Sequence, residues 1–430
     1  MTLRPILAIC GTTGVGKSKL AIELALAFSN AVHTNNDGTR HPWRGARIIN
    51  ADAMQVYAGM DILTNKVSLD EQCGVDHLLM GFKKPGEQYV VGQWIRDATE
   101  AIEETHRRNQ LPIVVGGTSY WMQHLVFPGR LVSSFDESDA DLHEQTSSAP
   151  DEPTVASEQL YQAMAKTPHD LLQLYNNLPD VSPSAGTEPE AAYTLHSLLA
   201  SLDPAVAARW HWKDTRKVLR SLQIIKQSGR LSSDIIHEQS QTSSEPRYRT
   251  LLLWLYARPE VLNPRLDRGL LKEVEELTTI AATQPETVQD AELSPEMDCT
   301  LGIYQSIGYR EFSRYLNTPD SPERERNYVD AVERMKTATR KYAKRQVRWI
   351  RNTLLPVVNA ANTATVQSGS LPVVPTYLLD ATELDSWNEN VRDVAQRITR
   401  DFLGEQNLPD PLAVSNVSKE MLSISNKTAE

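Results

Sequence analysis

Short, mainly apolar runs recur at residues 5–10, 46–52, 111–115 and 250–256, each bounded by glycine, proline or polar residues. Runs of that length without polar alternation read as strands buried on both faces. Over 19–25, 93–108 and 120–125 the apolar positions instead return every three to four residues, the spacing of one helix face. Strands alternating with helices predict a parallel sheet with helices on both faces, an α/β fold. In such sheets ligands gather at the carboxyl ends of the strands.

The pattern breaks in several places. Residues 29–47, with Asn35-Asn36-Asp37-Gly38 and His41-Pro42, read as a polar surface insertion. From 135 to 189 the composition turns to Ser, Asp, Glu and Pro around short helical runs at 157–165 and 168–176, as expected of an inserted, partly flexible segment. A better ordered helical stretch covers 193–228, where Leu219, Leu222 and Ile225 recur at helical spacing beside Arg216, Lys217 and Arg220. Helices dominate to about residue 355, interrupted by an acidic loop at 284–298; 359–370 reads as a linker, followed by a short strand at 373–379 and a helix around 387–402. The expected division is a first core part at 1–128, a mainly helical insertion at 129–245, core completion with a basic helix at 246–356, and a linker and tail at 357–430.

The first strand runs into Gly11-Thr12-Thr13-Gly14-Val15-Gly16-Lys17-Ser18 and then a helix. That is a phosphate-binding loop in its confirming context, so the fold expected is P-loop NTPase-like. Backbone N–H groups turn around a diphosphate, the helix N-terminus and Lys17 add positive charge, and the Ser18 hydroxyl suits Mg²⁺. The 111–115 strand ends in Gly116-Gly117-Thr118, where an ordinary ATPase carries a metal-binding aspartate; none is present. That counts against a motor or GTPase-like protein and leaves a kinase, or a transferase that uses the cradle without hydrolysing a triphosphate. Asp52, just past the second strand, can take a proton from a nucleophile or simply cap a helix; Thr118 can stabilise the leaving group or be a turn residue.

The chain has 430 residues and a net charge of −11, which argues against bulk electrostatic coating of nucleic acid. Against that background Arg334, Lys336, Arg340, Lys341, Lys344, Arg345, Arg348 and Arg351 are dense. On a helix, Arg340, Lys344, Arg348 and Arg351 fall on one face and Met335, Ala338, Tyr342 and Trp349 on the other. A phosphate-backbone role and a plain solvated face are both open; with Arg216, Lys217 and Arg220, a nucleic-acid substrate is favoured. Cys10, Cys73 and Cys299 form no paired motif, so reduced thiols are expected and no disulfide framework or zinc site. No run is long and apolar enough for a membrane span, and the phosphate loop follows Met1 too closely for a cleavable signal, so cytosol is the expected compartment.

Taken in order, these segments closely resemble the tRNA dimethylallyltransferases, also called tRNA isopentenyltransferases, with fungal members nearest. The resemblance rests on 11–18, Asn-Ala-Asp-Ala-Met-Gln-Val-Tyr at 50–57, Val-Val-Gly-Gly-Thr at 114–118, Asp-Pro with Asp-x-Arg-Lys-Val at 203–218, Gln-Ser-Ile-Gly-Tyr-Arg-Glu at 305–311 and Arg-Lys-Tyr-Ala-Lys-Arg-Gln-Val-Arg-Trp-Ile at 340–350. It implies transfer of a dimethylallyl group from its diphosphate to the exocyclic amine of the adenosine 3′ of the anticodon. It also implies Asp52 as general base and Thr118 at the reacting groups. Thr13, Gly14, Val15, Gly16, Lys17, Ser18 and Arg310 would hold the diphosphate, with Mg²⁺ on Ser18. Asp52, Ala53, Met54 and Gln55 would hold the flipped base, and Arg216, Lys217, Arg220, Arg340, Lys344, Arg345 and Arg348 the anticodon arm. The implied partners are tRNA and dimethylallyl diphosphate, with no membrane and a monomeric chain; service of mitochondrial or nuclear tRNA pools is left open.

Two departures accompany the resemblance. After Arg265-Leu266-Asp267 the family usually continues for about eight residues, roughly two helical turns, carrying a second diphosphate-binding arginine; here Arg268-Gly269-Leu270 follows at once. No cysteine follows Cys299, so the C-terminal zinc finger of many fungal and animal members is not encoded. A small-molecule kinase and a tRNA-binding homologue with impaired catalysis are the alternatives.

Overall fold

The computed structural model describes residues 3–29, 43–129, 157–241, 245–283, 302–316 and 318–423. Much of the 29–47 insertion, the first part of 135–189, the 284–298 acidic loop and Cys299 lie outside the described residues.

The buried runs form a six-stranded, wholly parallel sheet in the order β3-β2-β4-β1-β5-β6. The strands are β1 (Pro5–Gly11), β2 (Ala46–Asn50), β3 (His77–Leu78), β4 (Leu111–Val115), β5 (Arg249–Tyr256) and β6 (Thr376–Asp380). β1 is central, with Leu7 opposite Ile113 on one side and Leu251 on the other.

Alternation along the strands sorts the core into two layers. Ile6, Ala8 and Cys10 join Val114, Leu252 and Trp254 on one face, against α2 (Val91–Arg107) and α3 (Ser119–Val126). Leu7 and Ile9 join Ile113, Leu251 and Leu253 on the other, against α1 (Lys17–Ser29). Trp94 of α2 stacks on Trp121 of α3 at 4.9 Å and donates its Nε1–H to the Asn50 carbonyl at 2.8 Å. Burying an aromatic of this size stabilises by about 2–3 kcal/mol, and the hydrogen bond anchors the end of β2 beneath the site.

The chain divides into two compact units, 129–244 and the remainder. The smaller is helical: α4 (Glu158–Lys166), α5 (His169–Asn176), α6 (Pro189–Leu202), α7 (Pro204–Ala207), α8 (Thr215–Ser228) and α9 (Ser232–Gln241). Leu195, Leu198, Leu199, Val218, Leu222 and Ile225 form its own core, and Gly229 caps α8 in the left-handed conformation.

In the larger unit β5 is followed by α10 (Pro259–Thr283), α11 (Tyr309–Leu316), α12 (Pro322–Trp349) and α13 (Leu355–Gln367), the last two joined by a π-helical turn at Ile350–Leu354. Residues 359–367, expected as a linker, are therefore helix. The Ala, Asn and Thr composition hid an apolar stripe: Leu354, Leu355, Val358 and Ala361 are buried against the sheet. Asn362 ties the helix end to the next segment, accepting from Val374 N–H and donating to its carbonyl, both at 2.8 Å. The tail likewise supplies β6, paired with β5, and α14 (Asp393–Leu403), whose Ala395, Ile398 and Phe402 complete the second layer. No described helix is long and apolar enough to cross a membrane.

Candidate active site

β1 delivers Gly11 at its carboxyl end and α1 begins at Lys17, so the phosphate loop spans the strand–helix junction. Gly16 has φ +91°, a conformation other residues adopt only with strain. The first-turn N–H groups of α1 have no partner within the helix and are available to an anion. Lys17 folds back, Nζ donating to the Thr12 carbonyl at 2.7 Å. Burial pulls its pKa down to about 8, with the charge of Asp52, and secondarily Cys10, acting the other way. The Cys10 thiol beneath is pushed up to about 12 by burial and is inert.

Asp52 stands in the turn after β2. Its N–H donates to Asn50 Oδ1 at 3.1 Å and its Oδ1 accepts from Met54 N–H at 3.0 Å. No helix follows for Asp52 to cap; one carboxylate oxygen instead closes the turn after β2 and fixes the rotamer, leaving Oδ2 for chemistry. Thr118, after β4, donates its N–H to the Ala51 carbonyl at 3.1 Å, and its Oγ1 accepts from Ala53 N–H at 3.0 Å. The hydroxyl proton of Thr118 is therefore left to donate elsewhere. The two turns approach closely because Gly116 and Gly117 lack side chains. A methyl on Gly116 would lie 2.1 Å from the Ala51 carbonyl oxygen, and one on Gly117 would lie 3.0 Å from Asp52 Oδ2.

Gln346 joins these parts. Buried on α12, it accepts from Thr13 N–H at 3.1 Å through Oε1 and donates Nε2–H to the Gly117 carbonyl at 3.0 Å. Thr13, expected among the diphosphate ligands, has its N–H committed to this bond. Beside it the Tyr342 phenol is held protonated, its pKa raised by burial and then by the Asp52 charge. Two α12 side chains thus reach the crevice in which Lys17, Asp52 and Thr118 gather.

The buried face of α12 is Asn327, Ala331, Met335, Thr339, Ala343 and Gln346, with Ala338 and Tyr342 at its edge. Arg340, Lys341, Lys344, Arg345 and Arg348 are exposed. Arg351 is half-buried and lies inside the π-helical turn at Ile350–Leu354. The run is also divided by pairing: Arg334 with Asp330 at 2.8 Å, Lys336 with Glu333 at 2.7 Å, and Arg340 Nε with Asp267 Oδ1 at 3.2 Å. Lys341, Lys344 and Arg348 have no ion pair among the described residues, and Arg345 lies 5.9 Å from the Tyr342 ring centroid.

Arg310 has no described contact with the phosphate loop. Exposed at the start of α11, it pairs with Glu311 at 3.0 Å and lines a groove of about 690 Å³ with Arg334, Lys341 and Arg345. An arginine in an α11 turn flanked by its own carboxylate is drawn to that carboxylate. Gln55 donates Nε2–H to the carbonyls of Thr64 and Asn65 at 3.1 and 3.0 Å, closing the 54–66 loop, while Ala53 and Met54 rest on the core. In the helical unit Arg216 and Lys217 are exposed and Arg220 half-buried on α8, with Lys217 Nζ 3.8 Å from Asp214 and 4.8 Å from the Trp210 ring centroid.

Sequence reasoning passed over Gln346, Tyr342 and Asn50, whose Nδ2 donates to the Asp52 and Leu79 carbonyls at 3.2 and 3.0 Å. Gln346 had a usable signal: a polar residue on the apolar stripe of an otherwise amphipathic helix. Among the described residues no group of three or more His, Cys, Asp or Glu could hold a metal ion.

Comparison with known proteins identifies the family. The family model described as IPP transferase matches residues 55–353. The tRNA dimethylallyltransferase of Schizosaccharomyces pombe is 35% identical over 399 residues, 90% of this chain and 76% of the relative; that of Saccharomyces cerevisiae is 33% identical over 411 residues, 94% and 77%. A solved structure of a eukaryotic dimethylallyltransferase acting on tRNA superposes with a TM-score of 0.65 at 30% identity, covering 98% of this chain and 84% of that one. The full-length tRNA isopentenylpyrophosphate transferase of Bacillus halodurans gives 0.51 at 25% identity, over 94% and 98%. On the strength of the family model and of these fungal relatives, the chain belongs to the IPP transferase family, which includes the tRNA dimethylallyltransferases.

Proposed function

We propose that this chain transfers a dimethylallyl group from dimethylallyl diphosphate to the exocyclic amine of the tRNA adenosine 3′ of the anticodon. The observation that carries the reading is the Gln346 bridge, which supports one crevice for the phosphate loop and the β4 end beside Asp52. The amine nitrogen attacks C1 of the prenyl group while the C1–O bond breaks, and diphosphate leaves with that electron pair. Asp52 Oδ2 takes the amine proton, its partner oxygen being held by Met54 N–H. Lys17 and the first-turn N–H groups of α1 bind the departing charge, and the Thr118 hydroxyl donates to it.

Mg²⁺ fits this donor set: with no carboxylate cage among the described residues, it would be held by the Ser18 hydroxyl and by diphosphate oxygens and water. When bound it neutralises charge on the leaving group. Asp52 to Gln55 form the pocket for the adenosine, which must leave its stack to react. Arg345, Lys344 and Arg348, with Arg216, Lys217 and Arg220, are assigned to tRNA phosphates. Arg340 is assigned there too, through exchange of its Asp267 partner. Arg310, expected on the diphosphate, is reassigned to the tRNA side because it shares a groove with Lys341 and Arg345. A cytosolic location suits this substrate.

A second reading, a tRNA binder with weakened catalysis, draws on α10. Its Arg265 is spent on the Ala381 and Thr382 carbonyls, and the side chains nearest Gly14 are the apolar Leu262 and Leu266. Incubation with dimethylallyl diphosphate, Mg²⁺ and unmodified tRNA, followed by mass spectrometry of the nucleosides, separates the two. Prenylated adenosine is expected, reduced at least ~10²-fold in Asp52→Ala. Full activity in that variant sinks the base assignment; bound tRNA without product in the wild type favours the second reading.

A further inference from the structure

The segment after β6 reaches the phosphate loop through one side chain. Trp387, 3% exposed, lays its indole on Gly16: a methyl there would lie 2.7 Å from Cη2 and 2.9 Å from Cζ3. Its Nε1–H donates to both carboxylate oxygens of Glu23, at 2.9 and 3.2 Å, and Lys19 Nζ lies 4.6 Å from the ring centroid. Those three contacts fall on the last glycine of the loop and the first two turns of α1. The same segment holds α10, because Arg265 donates to the carbonyls of Ala381 at 3.3 Å and Thr382 at 2.9 Å, and Thr382 Oγ1 accepts from Arg258 N–H at 3.1 Å. α10 in turn seats Leu266 on Gly14, where a methyl would lie 2.6 Å from Cδ2.

We propose that Trp387 is a positioning residue of the diphosphate cradle: it fixes the backbone at Gly16 so that the N–H groups entering α1 are aimed before the substrate arrives. It touches neither substrate. The inference rests on the reading of the loop as the diphosphate site. A glycine at φ +91° has more conformational freedom than any other residue, and that freedom must be given up when N–H groups converge on a phosphate. A flat ring seated on Gly16 removes it beforehand, and the hydrogen bond to Glu23 keeps the ring from rotating off. Preorganisation of this kind appears in binding of the group being held. Residues 376–403 are accordingly part of the donor-binding machinery.

The test compares wild type with Trp387→Ala, Trp387→Leu, Trp387→Phe, Glu23→Gln and Lys17→Ala. It measures Kd for inorganic diphosphate with Mg²⁺ by calorimetry, KM for dimethylallyl diphosphate, kcat, and Kd for tRNA. Misplacing a binding group by about an ångström costs one to two orders of magnitude, so Trp387→Ala is expected to raise the diphosphate Kd and KM about tenfold or more, with tRNA affinity unchanged. Trp387→Phe, whose shorter ring lacks the Cη2 and Cζ3 atoms that meet Gly16, is expected to fall between wild type and Trp387→Ala, and Glu23→Gln, which keeps an acceptor for Nε1–H, within about threefold of wild type. Trp387→Leu fills volume without a flat face and is expected to weaken diphosphate selectively, which keeps the test decisive if the alanine variant is insoluble. Wild-type diphosphate binding in the alanine or leucine variant overturns the proposal. So does equal weakening of diphosphate and tRNA without rescue by phenylalanine, the signature of general unfolding. If instead Lys17→Ala leaves diphosphate binding intact, the loop reading itself has failed.

Discussion

At Asp52 the crevice is closed by backbone against backbone, whereas at the phosphate loop it is closed by side chains pressed onto glycine. Ala51 and Gly116 leave no room for a methyl, and Asp52 is fixed by bonds to residues two positions away. At the other end Leu266 and Trp387, more than two hundred residues downstream in the sequence, sit on Gly14 and Gly16. The carboxylate end is rigid because its peptide groups are paired and in contact. The phosphate end takes its shape from neighbours that can be altered one atom group at a time. A base must hold a proton-transfer geometry, and an anion cradle must be stiff but open. The two constructions match those demands.

The most severe way to test the contrast is Gly116→Ala. Its methyl would lie 2.1 Å from the Ala51 carbonyl oxygen, which is held by Thr118 N–H, while Ala51 N–H donates to the Val115 carbonyl at 2.8 Å. No side chain can move aside, so the β2 and β4 ends must part. A loss of about 3 kcal/mol or more in urea unfolding, or no soluble protein, is expected. A variant within about 1 kcal/mol of wild type would mean that the carboxylate end yields as readily as the other.

Gln346→Ala acts on both ends together. It strips the Gly117 carbonyl and the Thr13 N–H of their described partner, which costs about 1–3 kcal/mol where such groups stay buried and dry. Weaker binding of diphosphate, through Thr13, is expected to accompany a fall in kcat, through Gly117 beside Asp52. Calorimetry and steady-state kinetics separate the two. A change confined to one would show that the ends are held independently.

These sites also differ in how they can be read from the chain. The loop, Asp52 and Thr118 were legible because each follows a buried strand directly, and parallel strands bring their carboxyl ends to one edge whatever the intervening length. Gln346 sits amid cations, which mask its place on the apolar stripe of the helix. Only the buried positions at 335, 339 and 343 place it inward. Trp387 lies in a polar stretch with no motif, and its role exists only through a contact with Gly16. The Ala-, Asn- and Thr-rich segment at 359–367 lacked the bulky residues that mark a helix face, so a helix packed through Val358 and Ala361 read as a linker. Arg310 belongs to a recognisable motif, but the motif does not tell that the side chain stands exposed beside Glu311. Local backbone requirements leave a trace in sequence; packing between distant segments leaves one only when a residue is out of character for its neighbourhood.

The smallest effect concerns Lys17 and has opposite signs in stability and function. Burial lowers its pKa from 10.5 to about 8, more than Asp52 and Cys10 raise it. Between those values the unfolded chain binds more protons than the folded one, so stability rises as pH climbs from about 8 toward 10.5, and below 8 the held charge is a standing cost. Lys17→Met removes that cost with little change of volume. It is expected to raise stability at pH 7 by about 1 kcal/mol, less than the full shift implies because the site is partly open to solvent, while diphosphate binding is lost. In the wild type, diphosphate affinity should decline as pH passes 8, with the midpoint displaced upward because the bound anion favours the protonated amine. Thermal melts of both proteins across pH 6–10 check the first claim and calorimetry the second. A methionine variant less stable than wild type at pH 7 would mean that the bond from Nζ to the Thr12 carbonyl outweighs the burial of the charge, and that the phosphate end is held from within as firmly as from outside.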